Sequence, residues 1–389
     1  MPNQFFSPEG DLENYFVSEY WLIDQWIGDE LWTWGHNLYG MLGTNDTLQI
    51  NTPVTTLIGQ NNWKQVDGGN LHTAAIKTDG TLWTWGKNFE GQLGTNDITQ
   101  RNTPVTTFAG GTNWKQISCG NAHTAAIKTD GTLWVWGNNA LVQLGINATT
   151  NRSTPVTTFA GGTNWKQVSC GTNYTAAIKT DGTLWSWGAA DSSGRIGTND
   201  LINKSTPVTT FAGGTNWKQV SVCANHTAAV KTDGTLWSWG YNSFGRLGNN
   251  TTTQSLTPVT TFAGGTNWKQ VDVGSVHCTA VKTDGTLWGW GGGNGRQGNN
   301  TTTQSITPVT TFAGGTNWKK VACGGAFNAA IKTDGTLWSW GINSSAQIGI
   351  NDITDRLTPV TTFAGGTNWK EVSCGYSNTR ATTYIDSVI

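Results

Sequence analysis

The chain has 389 residues, only 12% of them charged against about 25% in an average soluble protein, and a net charge of −1. That balance builds in no long-range attraction to nucleic acid or anionic lipid, and no apolar run is long enough for a membrane helix. Its 23 Trp outnumber the 7 Tyr and 12 Phe together, which is too much aromatic surface for a disordered chain, and its 51 Gly show no three-residue period of the collagen kind.

In chain order, the first 11 residues contain neither a basic n-region nor an apolar h-region, which predicts folding in a cytoplasm. Residues 11–27 read as an amphipathic segment, with Tyr15, Phe16, Tyr20, Trp21 and Ile23 apolar. Such a segment suits a plug over a neighbouring domain or a docking handle. Phe16, Tyr20, Trp21 and Trp26 are its candidate anchor residues.

From Leu31 onward the chain repeats itself. Leu-Trp-x-Trp-Gly recurs with its first Trp at Trp32, Trp83, Trp134, Trp185, Trp237, Trp288 and Trp338, at spacings of 51, 51, 51, 52, 51 and 50. Asn-Trp-Lys places a third Trp in each unit, from Trp63 to Trp369, so seven units account for 21 of the 23. The leg from Asn-Trp-Lys to the next Leu-Trp is always 20 residues, while the return leg varies from 30 to 32. A fixed leg predicts paired strands, and a leg that tolerates insertions predicts a loop.

In the fixed leg, Thr124-Ala125-Ala126-Ile127-Lys128 and Leu133-Trp134-Val135-Trp136-Gly137 flank Asp130-Gly131, an expected hairpin whose Asp-Gly pair supplies positive φ angles. Trp114 to Cys119 reads as another strand, and Thr154 to Phe159 as a fourth, held to a sheet edge by Pro155. Four short antiparallel strands per unit of about 50 residues make a propeller blade. A solenoid, the alternative, needs polar caps at both ends. The terminal units are instead complementary halves: Leu31-Trp32-Thr33-Trp34-Gly35 lacks its upstream strand, and Asn378 to Tyr384 lacks its downstream one. The expected architecture is an all-β, seven-bladed β-propeller over 31–389, closed by pairing of its two ends in velcro fashion, with a short N-terminal extension over 1–30.

His123-Thr124-Ala125-Ala126-Ile127-Lys128-Thr129-Asp130-Gly131-Thr132-Leu133-Trp134-Val135-Trp136-Gly137, continued in the preceding unit by Gly86-Lys87-Asn88-Phe89-Glu90-Gly91-Gln92-Leu93-Gly94, resembles the RCC1-type repeat (regulator of chromosome condensation). The resemblance covers 31–384 and implies the same seven-bladed propeller. Residues 1–29, including Ser7-Pro8-Glu9-Gly10-Asp11 and Tyr20-Trp21-Leu22-Ile23-Asp24, are similar to the leader before RCC1-type repeats in virion proteins of tailed phages of marine cyanobacteria. That likeness implies a virion protein assembled in a bacterial cytoplasm, with other virion proteins as partners of the extension.

The residues that could carry chemistry fall into scaffold registers. His72, His123, His226 and His277 share one with Tyr174, Phe327 and Asn378, as expected of a half-buried packing position. Cys119, Cys170, Cys323 and Cys374 share another with Gly68, Val222 and Val273, a small apolar slot. Cys119 with Cys170, and Cys323 with Cys374, are neighbouring-blade pairs that disulfides could join, although cytoplasmic synthesis weighs against it. No zinc spacing, phosphate loop or nucleophile motif occurs, so no metal, cofactor or enzymatic activity is expected. Thirteen of the 23 basic residues are periodic lysines, read as rings of solvated charge with no nucleic-acid partner.

The units differ chiefly just after Trp-Gly, at 36–40, 87–91, 138–142, 189–195, 241–245, 292–295 and 342–346. Equivalent propeller loops share a face, so this face is the expected recognition surface, unless its loops simply drift in solvent. Tyr39, Phe89, Glu90, Asp191, Arg195, Tyr241, Phe244 and Arg246 are its candidate binding residues. Three functions compete. A virion structural or adhesion protein, on a tail or fibre, would meet a host-surface glycan or protein, or would be purely structural. A nucleotide-exchange factor, as the family resemblance implies it, needs a wedge insertion and acidic contacts that are missing here. An enzyme-inhibiting propeller is the third.

Overall fold

Each hairpin turns on its Asp-Gly pair, with the two residues doing different jobs. In the first complete unit the Lys77 N–H donates to the Thr81 carbonyl at 3.0 Å across a three-residue loop, and Gly80 takes a φ of +81°. Asp79 does not share the positive φ that the sequence suggested for the pair. It acts through its carboxylate, where Oδ1 accepts the Thr81 N–H at 2.9 Å and the Thr81 hydroxyl at 2.7 Å. That hydroxyl in turn accepts the Trp83 Nε1–H at 3.0 Å. Asp-Gly-Thr-Leu-Trp is thus one local device that closes the turn and aims a tryptophan.

The computed structural model describes residues 29–57 and 62–384. The amphipathic reading of 11–27, and with it Phe16, Tyr20, Trp21 and Trp26, lies outside the described residues. In the first complete blade, β3 (Trp63–Gly68), β4 (His72–Lys77), β5 (Leu82–Gly86) and β6 (Arg101–Thr106) form an antiparallel sheet in chain order, from inner to outer. Five further four-stranded sheets repeat it. The seventh is composite: β1 (Leu31–Gly35) and β2 (Ile50–Thr55) join β27 (Trp369–Cys374) and β28 (Asn378–Thr383) in the order β2-β1-β28-β27. Leu31 pairs with Thr382 and Gly35 with Asn378, which closes the ring as the complementary half-units predicted. The protein is an all-β seven-bladed propeller, and among the described residues no helix is long and apolar enough to cross a membrane.

The core lies between blades. Ala74, Ile76 and Leu82 of one blade pack on Trp114, Ile117, Cys119, Ala126 and Trp136 of the next. Trp114 meets Trp134 and Trp136 edge-on, both at 6.2 Å between ring centroids. Trp136 is fully buried while Trp134 is half-buried, its indole flanked by Lys128 Nζ at 4.5 Å from the ring centroid.

The same pattern fixes the two faces. The Lys87 N–H donates to the Leu71 carbonyl at 2.9 Å, so the variable loop after β5 leaves on the face of the β3–β4 loop. The Trp114 N–H donates to the Gly80 carbonyl at 3.1 Å, so the Asp-Gly turns and the connections into each next inner strand share the opposite face.

Candidate functional site

The variable loops are pinned from below before they diverge above. Asn88 is fully buried; its Oδ1 accepts the Leu93 N–H at 2.9 Å and its Nδ2 donates to the Asp97 carbonyl at 3.0 Å. Asn37, Asn242 and Asn343 make the equivalent bonds to Leu42, Leu247 and Ile348. The next fixed point is the residue before the Leu-Gly, Ile-Gly or, once, Gln297-Gly298 that ends each loop. The Gln92 carbonyl accepts Nε1–H of Trp136 at 2.9 Å and the Thr124 hydroxyl at 2.8 Å, both from the following blade.

This second register corrects part of the expected recognition surface. Arg195 and Arg246 occupy it, and they are 3% and 2% exposed. The Arg246 carbonyl receives Trp290, the Arg195 carbonyl receives Thr227, and both guanidinium groups turn inward. Arg195 donates to the carbonyls of Ala189 and Ala224 at 2.8 and 2.7 Å and pairs with Asp191 at 2.8 Å, so Asp191 is engaged within its own loop. Arg246 donates to the Ser275 carbonyl at 2.9 Å, and burial lowers its pKa. Neither arginine is displayed. The signal was available in the sequence, because both align with Gln92, Gln143 and Gln347 in the Gly-Gln-Leu-Gly register.

Three of the four aromatic candidates are displayed, and Tyr39 is half-buried. Phe89, Tyr241 and Phe244 are 53%, 40% and 44% exposed. Tyr39 meets Phe89 edge-on at 5.9 Å, and Lys87 Nζ lies 5.5 and 5.3 Å from the two ring centroids. Tyr241 and Phe244 both cover the Arg246 guanidinium, at 4.9 and 5.5 Å. Glu90 ties its loop to the next, with Oε2 accepting Asn151 Nδ2 at 2.7 Å and Asn138 Nδ2 at 3.3 Å. The candidates therefore form separate groups on different blades. Tyr376, 55% exposed at the mouth of the axial channel on this face, belongs with them and was missed. Also missed were Phe108, Phe159, Phe211, Phe262, Phe312 and Phe363, which are 63–68% exposed just beyond the outer strands. Nothing in the packing explains why an exposed position is phenylalanine in six units.

The histidine register is fully buried, where the sequence suggested half-burial, and it links blades. His72 and His123 place Nε2 at 2.9 and 3.0 Å from the hydroxyls of Thr124 and Thr175, and the Tyr174 hydroxyl donates to the His226 carbonyl at 2.7 Å. The six cysteines are free thiols, so neither weighed disulfide is formed.

Around the axis the inner strands enclose a cavity of 520 Å³. Gln116 bonds the next inner strand twice, donating to the Val168 carbonyl at 2.9 Å and accepting its N–H at 3.0 Å. Gln65, Gln167, Gln219 and Gln270 do the same, and Lys320 and Glu371 replace the pattern with an ion pair. One step deeper, Asp67 accepts the Cys119 N–H and the Ser373 hydroxyl, both at 2.7 Å. Asp272 accepts the Cys323 N–H at 2.7 Å and the Ser221 hydroxyl. Burial raises the pKa of Asp67 and pushes that of Asp272 up to about 6. These carboxylates staple one blade to the next, with both oxygens engaged.

Comparison with known proteins agrees with this architecture. The chain is 32% identical over 273 residues to the ultraviolet-B receptor UVR8 of Arabidopsis thaliana, covering 68% of this chain and 61% of that protein. It is 29% identical over 265 residues to the human E3 ubiquitin-protein ligase HERC2, covering 66% of this chain and 5% of that one. The chain thus matches less than two thirds of the length of either relative. Two solved structures share the fold: human WBSCR16 at 22% identity and a TM-score of 0.80, covering 91% of this chain and 99% of that one, and Prp20p of Saccharomyces cerevisiae at 18% identity and a TM-score of 0.81, covering 93% of each. The family model of the RCC1-like domain matches residues 29–383, and the chain belongs to that family.

Proposed function

We propose that the chain is a non-catalytic binding platform whose variable-loop face contacts a macromolecular partner. One observation carries this reading: the single face whose loops differ displays aromatic side chains that change from blade to blade, whereas the exposed phenylalanines beyond the outer strands recur identically in six units as part of a nearly uniform scaffold. Phe89, Tyr241, Phe244 and Tyr376 present 40–55% of their surface there, and the loops beneath them are held by buried asparagines and inter-blade bonds. Binding energy at such surfaces concentrates in a few aromatic anchors. The partially buried Tyr39–Lys87–Phe89 and Tyr241–Phe244–Arg246 groups are stiff enough to serve, because each ring already packs against a neighbour.

The leader likeness sets this platform in a phage virion, with residues 1–30 as the attachment and a host-surface glycan or protein as the partner of the loop face. Mass spectrometry of purified virions should find the chain among the structural proteins, and its absence removes the virion setting. The binding reading is tested separately with a Phe89→Ser, Tyr241→Ser, Phe244→Ser variant. It should keep its melting temperature and lose adsorption to host cells. A variant that adsorbs as the parent does overturns the loop-face assignment.

A further inference from the structure

The fold gathers at one point what the sequence spreads over the whole chain. The seven lysines of Asn-Trp-Lys each stand at the start of an inner strand, one residue before the side chains that line the axial cavity. They therefore ring one mouth of the channel, on the face opposite the variable loops. Inner strands sit close enough for Gln219 Nε2 to reach the Val271 carbonyl at 2.7 Å, and Lys269 Nζ lies 3.5 Å from the Lys319 carbonyl of the next blade. Lys64, Lys115, Lys166, Lys218, Lys269 and Lys319 are exposed and make no ion pair among the described residues. The seventh, Lys370, pairs with Asp29. The other periodic lysines are used differently: Lys128 is half-buried, with Nζ 4.7 and 4.5 Å from the ring centroids of Trp114 and Trp134.

Two sets of carboxylates frame this ring. The turn residues Asp79, Asp130, Asp181, Asp233, Asp284 and Asp334 are exposed on the same face, between the second and third strands and so farther from the axis. Within the channel stand Asp67, Asp272 and Glu371. A broad polyanion lying across the face meets the outer carboxylates first. An anion that enters deeply meets the inner ones. A narrow anion arriving along the axis and stopping at the mouth meets the six lysines without an ion pair first, with Asp29 on Lys370 the one carboxylate described within the ring itself, at distances where Coulomb attraction is not screened away.

We propose that this lysine ring is a docking site for an acidic protein segment, a run of Asp and Glu side chains presented end-on along the propeller axis. The site is independent of the variable-loop face, and it stands or falls separately from the loop-face reading.

The test is fluorescence anisotropy of the full chain with a short fluorescein-labelled oligoglutamate peptide at low ionic strength. K115Q/K166Q/K218Q/K269Q should weaken binding at least about tenfold, given four exposed charge contacts. R101Q/R152Q/K204Q/R356Q removes the same positive charge from the outer strands and should change binding less than about twofold. Unchanged melting temperatures establish that both are folded, and K166Q/K218Q is a milder variant expected to weaken binding about threefold. Equal weakening by the ring and outer-strand variants, no weakening by the ring variants, or binding of duplex DNA as tight as that of the peptide each overturns the proposal.

Discussion

Arg380 fills the space that a side chain at position 68 would need. Its guanidinium lies where a Cβ on Gly68 would stand, donates from Nε to the Thr73 hydroxyl at 2.8 Å and from Nη1 to Asn378 Oδ1 at 3.0 Å, and is fully buried. Every other unit has Cys or Val where Gly68 stands, and Ala or Thr where Arg380 stands. The two departures flank the junction of the composite blade with the first complete one. They are a single exchange of volume across it, with Asp67 supplying a nearby negative charge.

Gly68→Cys, which restores the commonest residue of the register, should therefore cost about 1–3 kcal/mol through overpacking. In an Arg380→Ala background the same substitution should cost almost nothing. Denaturant unfolding of all four proteins measures the coupling, expected to exceed about 1 kcal/mol. Additive costs would show that the two residues do not share the space.

Deleting residues 378–389 should prevent a stable monomer. It removes β28 and leaves β1 and β27 with bare edges at the ring closure. Size-exclusion chromatography and thermal melting should show aggregation or unfolding, and a monomer with the parent's melting temperature contradicts the closure.

The two tryptophans of Leu-Trp-x-Trp-Gly should differ in weight. Trp136 is fully buried between blades and donates to the Gln92 carbonyl, so Trp136→Ala should cost about 3–5 kcal/mol. Trp134 is half-buried under Lys128, and Trp134→Ala should cost visibly less. Equal losses in chemical denaturation would place both in the same packing environment.

Acid should destabilise the ring beginning near pH 6.5. Burial holds His72, His123 and His277 down to about 3, and His226 well below its ordinary value. Each is neutral in the fold and takes up a proton on unfolding, so its stability is present above 6.5 and is lost as pH falls toward 3, by about 1.4 kcal/mol per pH unit. Asp272, raised to about 6, and Asp67, also raised by burial, work in the opposite sense as pH falls, but the four histidines outnumber them. His123→Phe, which copies Phe327 in the same register, should flatten the pH profile of the unfolding free energy by one histidine's share. An unchanged slope would mean that His123 titrates alike in both states.

The architecture was legible because it is written seven times. Strand positions, the Asp-Gly turns and the closure at Leu31–Gly35 and Asn378–Thr383 follow from periodicity and from two incomplete copies. The candidate site was harder to read. Arg195 ends one variable segment and Arg246 directly follows another, yet each belongs to a register held by its backbone carbonyl, which shows in the sequence only when they are aligned with Gln92, Gln143 and Gln347. Likewise, the sequence reads the lysines of Asn-Trp-Lys only as a ring of solvated charge, and it is the radial placement of the inner strands that sets this ring at a channel mouth.

The composite blade also determines how the chain could be rewired. Thr383 N–H donates to the Glu30 carbonyl at 3.2 Å, so the two ends of the ring meet where every other blade carries its Asp-Gly turn. A short turn of that sequence joining 384 to 30 would make the seventh blade identical in connectivity to the rest, and opening any other Asp-Gly turn would create new termini at an equivalent place. Circular permutants cut at Gly131 or Gly234 are thus expected to fold to the same ring. The six Asp-Gly hairpins and the closure between Thr383 and Glu30 are thus structurally equivalent positions on the ring.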